Sequence, residues 1–173
     1  MSKKVNILDI AIQLPKYKDN TVIKKYAEGD ASLQDNLNLI KSIIKREGGK
    51  NYNLFSEELV LDLDEVERKK RLNQMEKTVD FVVGCINNVL LMAEAKFNVH
   101  DADNLSATDL KQKIKHSRQI LNKGGYKVFK STVLLFNDDK FEQNKLKTYR
   151  LFNYKKDVMI PLTVKDFHEK VFH

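Results

Sequence analysis

Apolar positions recur at steps of three and four residues through much of the first 124 positions and at steps of two beyond them. The opening run, Val5, Ile7, Leu8, Ile10, Ile12 and Leu14 before Pro15, fits a strand and a helix turn equally well. Thr21 to Glu28 reads as a short helix stopped by Gly29, with Asp30 placed to cap the next one. Leu33, Leu37, Ile40, Ile43 and Ile44 then form one buried stripe of a helix that stops at Gly48 and Gly49. Leu59, Leu61 and Leu63 alternate with Val60 and Asp62, which predicts a short strand leading into Asp64 as a second N-cap.

The most regular pattern is Leu72, Met75, Val79, Val82, Ile86, Val89 and Ala93, extended by Leu90 and Phe97. It predicts one continuous helix over 64–97, roughly 50 Å long, with a heptad seam along one edge. Such a seam exceeds what a small core covers and is expected to pair with another chain through Leu72, Met75, Val79, Val82, Ile86 and Val89.

Ser106 with Asp109 makes a capping box, flanked by the staple pair Leu105 and Leu110, so a helix starts at Ala107; Gly124 and Gly125 end it. From Tyr126 to Phe136 and from Leu146 to Tyr154, β-branched and aromatic residues predict two antiparallel strands. A third short strand, Val158 to Ile160, is closed by Pro161, and Thr163 with Asp166 caps a last short helix. The fold expected is therefore α+β: a helical N-terminal part dominated by the 64–97 helix, then an antiparallel β-rich end with a short terminal helix. It is read as one domain, 1–173, with a seam near Gly124 that divides a helical body (1–124) from a basic end (125–173).

Charge sharpens that division. Residues 1–110 carry 16 Lys/Arg against 18 Asp/Glu, whereas 111–173 carry 15 against 6, so the net charge of +7 belongs to the C-terminal third. The imbalance favours polyanions or an acidic protein surface. Within that third, Lys127, Lys130, Lys147, Arg150, Lys155 and Lys156 interleave with Tyr126, Phe129, Tyr149, Phe152 and Tyr154. A sheet of this kind can hold phosphates and stack bases, although a half-buried sheet kept in solution by its lysines explains the same pattern. The run Arg68-Lys69-Lys70-Arg71 lies beside Asp62, Asp64, Glu65 and Glu67, so internal pairing accounts for it. No apolar run approaches the roughly 18 residues of a membrane span, and neither a signal peptide nor a membrane partner is expected. The lone cysteine, Cys85, suits a reducing, cytoplasmic setting.

Chemical motifs are sparse. Gly49-Lys50 is followed by Asn51, not by Ser or Thr, and Ile44 stands where a phosphate-cradling loop needs its first glycine. No Gly-x-Ser-x-Gly elbow occurs. Cys85 lies among apolar neighbours and reads as an inert, packed thiol. Asp101-Ala102-Asp103 after His100 resembles the start of a calcium loop, but Ser106 replaces the glycine of its sharp turn and Gln112 its terminal glutamate. His116, His168 and His173 are isolated. Glu94-Ala95-Lys96 matches the tail of a nuclease signature in which an acid and a lysine flank a metal. That signature requires a strand beside a second acid, whereas the heptad puts these residues at a helix end, so the match is read as coincidence.

The functional expectation is a non-catalytic assembly subunit without cofactor or metal. It would associate with other protein subunits as a homo- or hetero-oligomer in a larger particle, for example as a ring or connector component of a virion. The alternative is a nucleic-acid-binding accessory or regulatory protein that uses the basic end.

Overall fold

The computed structural model describes residues 12–70, 76–99, 102–153 and 158–173. In chain order the elements begin with α1 (Thr21–Ala27), α2 (Ala31–Gln34), β1 (Leu37–Leu39), α3 (Ile40–Arg46), β2 (Leu59–Asp62) and α4 (Leu63–Arg68). There follow β3 (Phe81–Cys85), β4 (Val89–Ala95), α5 (Ala107–Ile120), β5 (Lys127–Val128), β6 (Thr132–Phe136), α6 (Phe141–Leu151), β7 (Met159–Thr163) and α7 (Val164–Phe172). The strands form one mixed sheet in the order β1-β2-β3-β4-β6-β7, with β5 paired to β4 ahead of β6. Strands β1 to β4 run antiparallel to their neighbours, while β4, β6 and β7 run parallel and are joined by crossovers through α5 and α6.

This overturns the expected fold class. Among the described residues there is neither a helical N-terminal part nor a long helix: the span 64–97 contains most of the short α4 and then the hairpin of β3 and β4. Phe81 to Cys85 are all buried, as are Leu90 to Glu94, because helices cover both faces of the sheet at its centre. A strand buried on both faces is apolar throughout, and steps of three and four can be drawn through any such run. The turn carries the contrary signal: Asn87 and Asn88 both adopt left-handed backbone, with φ of 62° and 56°, a conformation in which asparagine is enriched. Of the predicted seam, Val79 and Val82 are core residues, Val89 is half-buried, and Ile86 is 40 % exposed beside the turn. Leu72 and Met75 lie outside the described residues, and the other four are not carried on one helix.

Other elements also differ. The stripe from Leu33 to Ile44 is divided among α2, β1 and α3, since Leu37 to Leu39 pair with Leu59 to Leu61. The N-cap of α4 is Asp62, which accepts from the Glu65 amide, rather than Asp64. The strand expected from Leu146 to Tyr154 is the helix α6. Its buried face includes Asn144 and Thr148, whose polarity hid the helical period; Asn144 accepts from the Ala102 amide at 3.0 Å and Thr148 donates to the Asn144 carbonyl at 2.8 Å. The strand from Tyr126 to Phe136 is interrupted into β5 and β6, and both are parallel to β4. Pro161 lies within β7, not after it. Val5 to Ile10 and Tyr154 lie outside the described residues.

On one face, Phe81, Val83, Leu91, Ala93, Val133, Leu135, Ile160 and Leu162 meet Ile40, Ile43 and Ile44 of α3 and Phe167 and Val171 of α7. On the other, Val82, Leu90 and Met92 meet Ile23 and Tyr26 of α1 and Val66 of α4, while Leu134, Phe136 and Met159 meet Leu110 of α5. Helix α1 approaches β3 at Gly84, where an added Cβ would lie 2.7 Å from the Ile23 backbone nitrogen. Gly84→Val is therefore expected to push α1 off the sheet and cost about 1–3 kcal/mol. A urea melt would show this as a lower midpoint; an unchanged midpoint would contradict the close packing.

Candidate active site

The strands place an acidic pair where β3 begins and β4 ends. Phe81 pairs with Ala93 across the hairpin, so Asp80, just before β3, comes beside the end of β4. There its Oδ2 accepts from the Ala95 amide at 2.7 Å. Glu94 and Lys96, which flank Ala95, thus lie on a strand and its continuation beside a second acid. The parallel strands β4, β6 and β7 all end on this side of the sheet, where α/β folds commonly bind ligands.

Glu94 is 1 % exposed. Its Oε1 accepts from Lys96 Nζ at 2.8 Å and from Lys113 Nζ, on α5, at 2.6 Å. Its Oε2 is buried without a hydrogen-bond partner. A buried carboxylate oxygen in that position carries a desolvation cost that a ligand would relieve. Burial of Asp80, reinforced by the charge of Glu94, pushes its carboxyl up to about 7; the Ala95 hydrogen bond opposes the rise and Glu47, at the end of α3, adds to it. Burial works against the Lys113 ammonium, but Glu94 and Asp80 outweigh it and raise its pKa, so it stays charged.

The approach to β3 is fixed from α5. The Val79 amide donates to Ser117 Oγ at 3.0 Å, and Ser117 Oγ donates to the Lys113 carbonyl at 2.7 Å, which ties Asp80's strand to the helix that bears Lys113. At the start of α5, Lys77 Nζ donates to Asp109 Oδ1 at 2.5 Å, and the Asp109 amide donates to the capping hydroxyl of Ser106 at 3.1 Å.

Two carboxylates can hold a magnesium-like cation, which takes one or two protein carboxylates and leaves its other positions to water and substrate phosphate. Among the described residues no group of three or more His, Cys, Asp or Glu forms a fuller cage. The orphaned Oε2 of Glu94 and the strained ionisation of Asp80 both suit such an ion.

The residues singled out earlier fall elsewhere. Lys127 lies on β5 and Lys130 just after it; Lys147 and Arg150 lie on α6, and Lys155 and Lys156 are outside the described residues. The charged residues expected to share one sheet are thus divided between the β5 edge and a helix. Cys85 is buried with its thiol pushed up to about 12 by burial, which leaves it a poor nucleophile. Arg68 pairs with Asp64 and Glu65, and Lys70 with Glu67, so much of that basic run is internally neutralised. His100 and Asp101 are outside the described residues. Asp80 was missed because it stands alone in the sequence, and only the hairpin brings it to Glu94.

Among the described residues, the start of β3 and the end of β4 thus bring together two acids, Asp80 and Glu94, with Lys96 and Lys113 on Glu94. No family model, curated protein or solved structure matches the chain. No helix among the described residues is long and apolar enough to cross a membrane.

Proposed function

We propose that this protein is a divalent-metal-dependent nuclease that hydrolyses phosphodiester bonds at Asp80, Glu94 and Lys96. The observation that carries this reading is the Ala95 amide bonded to Asp80, which sets Glu94-Ala95-Lys96 on a strand end beside a second acid. That is the context the nuclease signature requires, and the helical reading of 64–97 had denied it.

Asp80 and Glu94 would hold the cation, which when bound supplies Lewis-acid polarisation of the scissile phosphate. The chain supplies the rest. Lys96 and Lys113 place two ammonium groups at Glu94, where they can offset the negative charge that gathers on a phosphate under in-line attack. Lys96, held at Glu94 Oε1, would stand beside the site where it could orient a water toward the phosphate. In the reaction the water's oxygen bonds to phosphorus, the bond to the leaving sugar oxygen breaks, and the water's proton passes to that oxygen.

The expectation of an assembly subunit rested mainly on a rod over 64–97, which the fold does not contain. Its other supports were the sparse motifs and the basic C-terminal third, and the latter serves a nuclease equally well, since nucleic-acid substrates are polyanions. The test is incubation of the purified protein with supercoiled plasmid and Mg²⁺ or Mn²⁺. Nicking that EDTA stops and that Asp80→Asn lacks is expected. Intact plasmid, linear duplex, single-stranded DNA and RNA with either metal would contradict the reading.

A further inference from the structure

We infer that the face formed by α5 and β5 binds the backbone of double-stranded DNA beyond the scissile phosphate. This rests on the nuclease reading and names the substrate form that the site would serve.

Between Leu110 and Asn137 the sequence contains seven Lys/Arg and no Asp or Glu. Three of the seven are committed internally. Lys113 turns in to Glu94 at 2.6 Å, Arg118 donates to the Phe129 and Lys130 carbonyls at 3.0 and 2.8 Å, and Lys123 donates to the Tyr26 carbonyl at 2.7 Å. The other four, Lys111, Lys115, Lys127 and Lys130, are exposed and form no ion pair among the described residues. Nearby acids are already engaged: Asp109 by Lys77 at 2.5 Å and Glu76 by His116 Nδ1 at 2.7 Å.

Two clefts adjoin along this face and share Lys115 and Gln119. One continues past Gln112 toward Lys77, and the other past Asn122 to Tyr126 and Lys127. Because Lys113 reaches the acidic centre from the same helix, a strand cut at that centre has a cationic path along α5. The helix is 14 residues, about 21 Å, which at 3.4 Å per base pair matches about six base pairs.

The form of the DNA follows from how the described aromatic side chains of this face are packed. Single strands are held by exposed aromatic platforms. Here Tyr126 is half-buried, packed edge-on to Tyr26 at 5.0 Å with Lys123 above it, and Phe129 packs against the core. The face therefore meets phosphates rather than bases, as a sequence-indifferent duplex contact does.

The experiment uses full-length Asp80→Asn protein, so that binding is read without cleavage, and fluorescence anisotropy of a labelled 24-base-pair DNA duplex from about 50 to 200 mM salt. Adding Lys115→Glu with Lys127→Glu is expected to weaken binding roughly 10- to 100-fold and to flatten the log-affinity against log-salt slope by about 2. Lys165→Glu with Lys170→Glu on α7, across the sheet, makes the same charge change and is expected to have little effect. Equal loss in both pairs, or none, would overturn the assignment to this face. Tighter binding of a single strand or of an RNA duplex of equal length would overturn the choice of duplex DNA. Hydrolysis of bis(p-nitrophenyl) phosphate with Mn²⁺, by protein that retains Asp80, separates this from the nuclease reading. The Lys115/Lys127 pair should leave it unchanged, whereas its absence in the unmodified protein would count against the metal centre and not against the DNA-binding face.

Discussion

Asp80→Asn and Glu94→Gln are each expected to lower metal-dependent cleavage on the order of 10³-fold, and Lys96→Ala on the order of 10²-fold or more. The two carboxylates are the charges available to draw a cation into the end of the hairpin, and an amide keeps the shape while losing that charge. Lys96 differs because it contributes positive charge directly, so its loss should lower turnover more than metal affinity. The variants also differ in their structural consequences. Glu94 is buried between two ammonium groups, and neutralising it removes the carboxylate that both Lys96 and Lys113 contact. Removal of one partner from such a buried set costs about 3–5 kcal/mol. Asp80→Asn carries no such penalty, so its activity loss in a well-folded protein is the decisive result. Circular dichroism and a melting curve beside the cleavage assay separate the two cases, and a folded Asp80→Asn protein with full activity would contradict the site.

Asp80→Asn is also expected to make the metal-free protein more stable at alkaline pH. The Asp80 carboxyl is pushed up to about 7 in the fold, chiefly by burial and next by Glu94, whereas in the unfolded chain it ionises near 3.8. Between those values the folded state keeps a proton that the unfolded state has lost. Stability contributed by the protonated group is therefore fully present below about 4 and declines as pH rises toward 7. Asparagine cannot ionise, so in EDTA the variant should melt above the parent by several degrees at pH 8, and the gap should close near pH 4. Divalent metal reverses the order for the parent protein, because the ion takes the proton's place and stabilises the folded state in proportion to its occupancy. Its effect should be larger at pH 8 than at pH 6, and cleavage should rise over the same interval. Melting curves with and without Mg²⁺ at the three pH values check this, and a gap in EDTA that does not change with pH would contradict it.

The parts of the fold legible in the sequence were those fixed by local chemistry. Asp30, Ser106 and Thr163 cap helices as their side-chain oxygens require, accepting from Leu33, Asp109 and Asp166 amides. Gly29 ends α1 in left-handed backbone with φ of 79°, and Leu59–Asp62 is the strand its alternation implies. What failed was inference from period alone where tertiary burial sets the pattern. Strands β3 and β4 are covered on both faces, which erases alternation, and α6 buries Asn144 and Thr148, which erases its stripe. The candidate site fell with the first of these errors. Glu94-Ala95-Lys96 was visible as a motif, yet its meaning depends on strand geometry and on Asp80 fourteen residues earlier. Gly84 and the Asn87-Asn88 pair were the local signals that could have turned a presumed helix into a hairpin. The charge asymmetry was legible, but its placement was not: α6 carries Lys147 and Arg150 away from the β5 edge that holds Lys127.

The central claim is that Asp80 and Glu94 together hold a divalent cation. Anomalous diffraction from crystals soaked in Mn²⁺ tests it most directly. A peak about 2 Å from oxygens of both carboxylates, with Glu94 Oε2 as one ligand, is expected. Ordered Mn²⁺ elsewhere in a protein that cleaves DNA, or no peak at Glu94 Oε2 at saturating metal, would contradict it.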